Sequence, residues 1–152
     1  MFTNILLAVD GSGASLRAAR HGIELASTLK ARVTVVMVTI PWATYFSREL
    51  AVVAPGVVIP KTEYDYKRET LAACILQNVA TYARCAGVTV RTVHRSHQEP
   101  YQAIIEAAVH ERCDLIVMGS HCDRGLAGVL LGSETMKVLT HTGIPVLVYR
   151  QN

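Results

Sequence analysis

The stretch DLIVMGSHCDRGLAGVLLGSET, from Asp114 to Thr135, decides how this chain folds. It opens with the apolar run Leu115 to Met118, which is typical of a strand buried on both faces. A loop rich in glycine follows, and a new helical pattern begins at Ser133. Together these are the parts of a phosphate-binding turn, because a glycine backbone approaches an anion closely and the N–H groups at a helix start hold it. The loop glycines are Gly119, Gly125, Gly128 and Gly132.

Strand and helix patterns alternate along the rest of the chain. Continuous apolar or β-branched runs predict the strands, and apolar residues at helical spacing predict the helices. In chain order, we predict strands over Asn4 to Val9, Arg32 to Ile40, Val88 to Val93, Asp114 to Met118 and Pro145 to Arg150, and helices over Ser15 to Leu29, Thr62 to Ala86, Pro100 to about Glu111, and Ser133 to Thr140.

The sequence pattern is harder to interpret in two regions. Pro41 to Pro60 is the least regular part of the chain and is long for a loop, so we expect a functional, mobile or partner-bound segment. Along the longest helix, Thr62 to Ala86, six residues recur on one side, which we interpret as the side that faces the core. Its members are Leu71, Cys74, Ile75, Asn78, Val79 and Tyr82.

The alternation predicts the α/β class and one domain over residues 1–152. We expect a five-stranded, parallel, doubly wound sheet of order 3-2-1-4-5, with helices on both faces, as in Rossmann-like nucleotide-binding proteins. In this order the winding reverses between the first and fourth strands, and a crevice opens at their carboxyl ends. Asp10 and the glycine loop would face each other across that crevice.

Composition argues against several classes of protein. The formal charge is +3, the basic residues are scattered, and aromatic residues make up 6% of the chain, so we expect no nucleic-acid partner. No apolar run approaches the ~18 residues of a membrane span, and the N-terminus lacks the basic region of a signal peptide. The four cysteines form no CxxC pair. We therefore expect reduced thiols and a cytoplasmic protein without a membrane partner.

The loop matches neither the P-loop motif nor GxGxxG. The residues alone therefore leave two interpretations open, an anion-binding loop and a structural glycine loop. His121 and Cys122, with Cys113, lack a known metal-ligand spacing, and we expect no metal site made by protein side chains alone. Cys122 near Arg124 is an alternative candidate for a redox-sensing thiol. No His or acidic residue is placed by the sequence to activate Ser133, so we assign no catalytic residue.

The chain resembles the universal stress protein family over nearly its full length. The resemblance lies in ILLAVDGS near the start, DLIVMGS, GLAGVLLGSET and the final IPVLVYR. The family's nucleotide-binding members share a signature of Gly, two residues, Gly, nine residues, and Gly followed by Ser or Thr. Gly119 matches its first position and Gly132-Ser133 match its end, but Cys122 stands at the middle glycine. A β-carbon at that position would weaken binding if the backbone there needs a positive φ.

The resemblance implies an adenine nucleotide, ATP or AMP/ADP, with Mg²⁺ as a possible companion. Asp10 would hold adenine or ribose hydroxyls, although it could instead cap the first helix, and Val38 would contact adenine through its backbone. The phosphates would bind at the helix start that begins with Gly132 and Ser133. The complete implied site is Ala8, Val9, Asp10, Val38, Met118, Gly119, Cys122, Gly132, Ser133, Glu134 and Thr135.

The last strand, Pro145 to Arg150, has no later element to cover it, and an apolar edge strand readily pairs with another chain. The resemblance implies that this strand pairs with its twin to form a homodimer.

Three hypotheses for the function follow. The first is a cytoplasmic stress-response and signalling protein that binds nucleotide and is not an enzyme beyond slow ATP hydrolysis. The second is a nucleotide-independent dimeric interaction module, which Cys122 favours. The third is a nucleotide-dependent transferase on a related fold.

Overall fold

A computed structural model describes residues 1–53, 59–120 and 132–150, with side chains left out for residues 48–53. Strands and helices alternate along these ranges as the sequence patterns predict, except that two helices rather than one separate the second and third strands. The elements are β1 (Asn4–Val9), α1 (Gly13–Leu29), β2 (Arg32–Thr39), α2 (Trp42–Val53), α3 (Lys61–Cys85), β3 (Val90–Ser96), α4 (Pro100–His110), β4 (Leu115–Ser120), α5 (Ser133–His141) and β5 (Val146–Arg150).

The strands form a parallel sheet in the order β3-β2-β1-β4-β5, which confirms the predicted fold class and strand order. In register, Ala8 of β1 lies opposite Met118 of β4. The chain winds outward in one direction from β1 to β3 and in the other from β4 to β5. The carboxyl ends of β1 and β4 therefore flank the crevice that this topology creates.

The central strand β1 is buried over its whole length, which explains its unbroken apolar sequence. Ile5 and Leu7 point to the side covered by α1 and α3. Leu6 and Ala8 point to the side covered by α4 and α5. Because neighbouring residues of a strand face opposite sides, one apolar run fills both layers of the core. Helices on both faces of the sheet are thus confirmed.

The prediction that Pro41 to Pro60 lacks regular structure is wrong over much of its length, because α2 occupies Trp42–Val53. Side-chain hydrogen bonds anchor the two ends of the segment. The Trp42 indole N–H donates to the Ile59 carbonyl at 2.9 Å, and the Tyr64 hydroxyl of α3 donates to the Ile40 carbonyl at 2.7 Å.

The buried side of α3 was also assigned wrongly. Leu71, Cys74 and Tyr82 are exposed, whereas the residues that pack on the sheet are mostly alanines. Val79 is buried as predicted, and Ile75 packs at the edge of the core. Small residues let the helix lie close to the sheet, so the larger side chains are left at its margin. The buried residues of α3 are Tyr64, Ala72, Leu76, Val79, Ala80 and Ala83.

Strand β3 lies about two residues later than predicted, at Val90–Ser96. It pairs with β2 from Val33↔Val90 to Thr39↔Ser96, which is all of β2 except its first residue. Its position at the sheet edge agrees with the exposed face that its alternating sequence predicts. In the described parts of the chain, no helix is both long and apolar enough to cross a membrane.

Candidate functional site

A cavity of about 380 Å³ lies at the carboxyl ends of the central strands, between them and the first turns of α4 and α5. Its volume falls within the range of small-molecule sites. Every described residue of the predicted site lines it, namely Ala8, Val9, Asp10, Val38, Met118, Gly119, Gly132, Ser133, Glu134 and Thr135. Cys122, the remaining member of that predicted site, lies outside the described residues, as do Gly125 and Gly128.

Sequence reasoning missed five further residues that line the cavity. Val36 lies two residues before Val38 on β2 and so faces the same side of the sheet, and Ile40 directly follows the end of that strand. Pro100 and Ile104 are one turn apart on α4, so a helix that begins directly above the crevice brings both to it. The spacing of these residues along the strand and the helix would have indicated them if the neighbouring elements had been known. The missed residues are Ser15, Val36, Ile40, Pro100 and Ile104.

One end of the cavity is apolar. Val38, Ile40 and Ile104 form much of this end, together with Met118 of β4. Val36 and Met118 are almost completely buried, so their positions are fixed by the core. A slot of aliphatic side chains suits a flat, weakly polar ring, because burying such a ring removes apolar area from water.

The other end is the start of α5. Gly132 is the N-cap residue and supplies no side-chain hydrogen bond to the helix. Its own N–H donates to the Ser120 hydroxyl at 3.1 Å, which ties the helix start to the end of β4. The first N–H groups of any helix lack intrahelical acceptors, and their partial positive charge attracts anions. This end of the cavity therefore suits an oxyanion.

Glu134 lies at the same end, but its carboxylate is already engaged. One oxygen accepts a hydrogen bond from the Tyr101 backbone N–H at 3.0 Å, and the other lies 3.2 Å from the Lys137 ammonium. Lys137 also reaches Glu99 at 3.4 Å. The hydrogen bond and charge of Glu134 raise the pKa of Lys137 above its ordinary value. The negative charge of Glu134 is thus partly balanced before any ligand arrives.

Asp10 follows β1 and forms the turn into α1. Its carboxylate accepts a hydrogen bond from the Ser12 N–H at 2.9 Å, while its own N–H donates to the Ser15 hydroxyl at 3.2 Å. The alternative that Asp10 caps α1 is wrong, since the N-cap is Ser12, whose hydroxyl accepts from the Ser15 N–H at 3.2 Å. Asp10 is exposed and lines the cavity, so it stands beside the site on a fixed turn.

Comparison with known proteins identifies the family of this fold and cavity. A family model described as the universal stress protein family matches residues 1–150. The chain belongs to the universal stress protein family. It is 31% identical to the universal stress protein YxiE of Bacillus subtilis over 151 residues, which cover 99% of this chain and 100% of that protein.

Solved structures of universal stress proteins have the same fold. The structure of MJ0577, a universal stress protein of Methanocaldococcus jannaschii, matches with a TM-score of 0.78 at 24% identity, covering 100% of this chain and 98% of that one. A universal stress protein in complex with cAMP matches with a TM-score of 0.70 at 24% identity, covering 99% of both chains.

In this universal stress protein, Gly119 is required by packing. A β-carbon at this position would lie 2.5 Å from the Ala14 carbonyl oxygen and 2.8 Å from the Ser15 nitrogen. Such distances are far below van der Waals contact, so only glycine lets the start of α1 approach the end of β4 this closely. The close approach also positions Ser15 at the cavity wall.

The described residues hold no group of three or more His, Cys, Asp or Glu side chains suited to a metal ion. Ser133 is exposed at the start of α5, and within the described ranges its hydroxyl has no hydrogen bond to a histidine or carboxylate that would activate it. The arrangement of the described residues is suited to binding a ligand with an apolar end and an anionic end.

Proposed function

We propose that this universal stress protein binds an adenine nucleotide, ATP or its AMP and ADP relatives, in the cavity between β1 and β4. The observation that carries the proposal is that all described residues of the family-implied nucleotide site line one cavity. The cavity has an apolar end for a base and a helix start for phosphates, which is the order of groups along a nucleotide.

In the proposed complex, the adenine ring lies against Val38, Ile40 and Ile104, and the ribose lies near the Asp10 carboxylate. The phosphates lie at the first turn of α5, where Gly132 leaves the backbone accessible. The solved universal stress protein in complex with cAMP supports an adenine ligand for this fold. Together these features favour an adenine nucleotide over a ligand without a base or without a phosphate.

A divalent cation such as Mg²⁺ would accompany ATP and be held mainly by the phosphates and water. Glu134 is the carboxylate on the first turn of α5, and its pairing with Lys137 reduces its repulsion of the phosphates. The ion would screen the repulsion that remains. This assignment uses the residues present and requires no additional protein ligand.

We propose a role in binding and signalling during stress, in the cytoplasm, with ATP hydrolysis slow at most. Fast hydrolysis needs a group that activates water or a nucleophile. The described cavity residues include no histidine, and its acidic residues Asp10 and Glu134 both already accept hydrogen bonds from backbone N–H groups. Their engagement favours a structural or binding role over that of a general base.

We also propose that the protein is a homodimer formed through β5. This strand lies at one edge of the sheet, and Leu147 on it is 46% exposed. The opposite edge strand, β3, carries Arg91 and Arg95, whose charges discourage pairing with another strand. The edge at β5 is therefore apolar and the edge at β3 is charged, as expected if only β5 pairs with a second copy.

The second candidate is a dimeric interaction module that does not use nucleotide. Cys122, at the middle glycine of the family signature, favours it. If the backbone at that position needs a positive φ, or if the ligand approaches it closely, the cysteine β-carbon is unfavourable.

Calorimetric titration of ATP with Mg²⁺ into the wild type and Cys122→Gly, in parallel, separates the candidates. Micromolar binding by the wild type supports the nucleotide proposal. Binding by the glycine variant alone shows that the cavity is intact but blocked, and the interaction module is then favoured. If neither protein binds, the proposed site is refuted.

A further inference from the structure

A second cavity, of about 280 Å³, lies at the opposite end of the sheet, between the amino ends of β2 and β3 and the carboxyl end of α4. The strands are parallel, so all their carboxyl ends lie at one end of the sheet and all their amino ends at the other. The proposed nucleotide cavity is at the carboxyl ends and this cavity is at the amino ends, so the two are far apart. The lining of this second cavity carries more basic than acidic side chains. Arg32, Arg91 and Arg112 contribute to it, together with His110, and its acidic member is Glu111.

Glu111 does not balance these charges. Its side chain is only 9% exposed, and its two oxygens are taken by Arg91 at 3.2 Å and His110 at 3.0 Å. Neither Arg32 nor Arg112 forms an ion pair within the described parts of the chain. Two exposed guanidinium groups therefore remain at the cavity, each with donors available to a ligand.

The nearby Asp114 carboxylate does not neutralise them either. It accepts hydrogen bonds from the Thr3 N–H at 2.7 Å, the Thr3 hydroxyl at 2.8 Å and the Asn4 N–H at 3.0 Å. These bonds hold it against the start of β1. Asp114 is not part of the cavity lining, so the charge facing the cavity is positive.

A buried polar network gives the cavity a rigid floor. Asn4 and Thr34 are 2% and 3% exposed. The Asn4 amide donates to the Glu111 carbonyl at 2.7 Å, and the Thr34 hydroxyl donates to the Asn4 side-chain oxygen at 3.5 Å. The network joins β1 and β2 to the last turn of α4. The network thereby fixes the backbone next to Arg112, in the turn after α4, relative to β2, which begins at Arg32.

We propose that this cavity is a binding site for a phosphate group, free or carried on a small phosphate ester. Planar guanidinium groups pair with phosphate through parallel hydrogen bonds, and they keep their charge at all physiological pH values. The helix dipole places about half a negative elementary charge at the carboxyl end of α4, which repels an anion. The positive charges of two unpaired guanidinium groups outweigh this repulsion. The volume accommodates a phosphate with a small attached group but is less than that of the nucleotide cavity.

The site is tested by titrating inorganic phosphate and, separately, ribose 5-phosphate into the ¹⁵N-labelled full chain at constant ionic strength. Amide signals of Thr89 and Arg112 report this cavity, and that of Ser133 reports the nucleotide cavity. The variants are Arg32→Gln and Arg112→Gln, and the matched control is Arg84→Gln, an exposed arginine on α3. Spectra without ligand show whether each variant is folded.

We expect Thr89 and Arg112 signals to shift and saturate in the wild type and in Arg84→Gln. We expect about tenfold weaker binding in either cavity variant, because each loses one charge-assisted contact. Tighter binding of ribose 5-phosphate identifies an ester as the ligand, and equal binding identifies the phosphate alone. Shifts that do not saturate, that appear only at Ser133, or that weaken equally in Arg84→Gln overturn the proposal. The result is independent of whether the other cavity binds nucleotide.

Discussion

The carbonyl oxygen of Ala14 lies 2.5 Å from the point where a β-carbon on Gly119 would stand. At Gly132, the other described glycine of the family signature, the nearest atom to such a carbon is the Thr135 hydroxyl oxygen, at 3.9 Å. Gly132 also has φ −52° and ψ 144°, which suit any residue. Packing within the described structure therefore requires glycine at position 119 and does not require it at position 132.

The first prediction is that Gly119→Ala destabilises the fold. The added methyl group must push α1 away from β4 or distort one of them, and overpacking of this kind costs about 1–3 kcal/mol. Urea unfolding followed by circular dichroism measures the change. Gly143→Ala is the matched control, since no atom lies within 4 Å of its β-carbon position. Equal stability of the Gly119 variant and wild type would show that α1 can move without cost.

The second prediction concerns ligand binding at Gly132. Gly132→Ala should change the free energy of unfolding by less than about 1 kcal/mol, because the backbone and the surrounding space accept alanine. If phosphates approach the start of α5 closely, the same methyl group should weaken ATP binding by about tenfold or more. Calorimetry on the folded variant checks this. Unchanged affinity would place the phosphates elsewhere in the cavity.

The strand order and the position of the cavity could be predicted because Ile5 to Val9 and Leu115 to Met118 are continuous apolar runs, followed by small or polar turn residues. Parallel strands and right-handed crossovers then leave few arrangements. The buried side of α3 could not be predicted in the same way. Its stripe of Ala72, Ala80 and Ala83 is weakly hydrophobic, and the larger Leu71 and Tyr82 beside it dominate any apolar count.

The lining of the cavity between β1 and β4 was predicted less completely than the fold. The cavity-lining residues next to glycines and at strand ends were named in advance because the family resemblance points to them. Pro100 and Ile104 were missed because they reach the cavity only through the packing of α4 on the sheet. Similarly, nothing in the sequence places Glu134 against the Tyr101 N–H, since the two are 33 residues apart.

The third prediction is that Glu134 stabilises the start of α4. Glu99, the N-cap of α4, makes no side-chain cap hydrogen bond, whereas Glu134 accepts from the Tyr101 N–H across the two helices. Glu134→Ala should therefore lower stability by about 1 kcal/mol, as the loss of a helix cap does. Hydrogen exchange at the Tyr101 amide should become faster. Glu106→Ala changes an exposed residue of α4 and should leave exchange at the Tyr101 amide unaffected. If that amide is equally protected in both variants, Glu134 does not stabilise the start of α4.

The fourth prediction is a pH dependence from Asp114. Burial acts to raise the pKa of this carboxyl, but hydrogen bonds from Asn4 and Thr3 outweigh it and hold the pKa below its usual value. A lowered pKa in the folded state stabilises the protein above the unfolded pKa of about 4, and this contribution is lost as the pH falls through the folded pKa. Asp114→Asn should thus be less stable than wild type at pH 7.

Urea unfolding at pH 7 and at pH 3 measures this effect. The stability difference between Asp114→Asn and wild type should shrink at the lower pH, where the wild-type carboxyl begins to take up a proton. Asp65→Asn is a suitable control, because its partner is an exposed lysine one turn away on α3 and such pairs contribute little. A difference that is the same at both pH values would show that Asp114 acts through shape rather than charge.

The fifth prediction tests the proposed dimer. Within the described residues, β5 has β4 on one side and no strand on the other, so its outer backbone groups and the exposed Leu147 are available to a second copy. A charge at Val148 would have to be buried if β5 pairs with its twin, and burying an unpaired carboxylate costs several kcal/mol. Val148→Asp should therefore yield monomers, as measured by light scattering during size-exclusion chromatography. Thr92→Asp on the opposite edge strand should leave the mass unchanged, and a dimeric Val148→Asp that remains folded would rule out this edge as the interface.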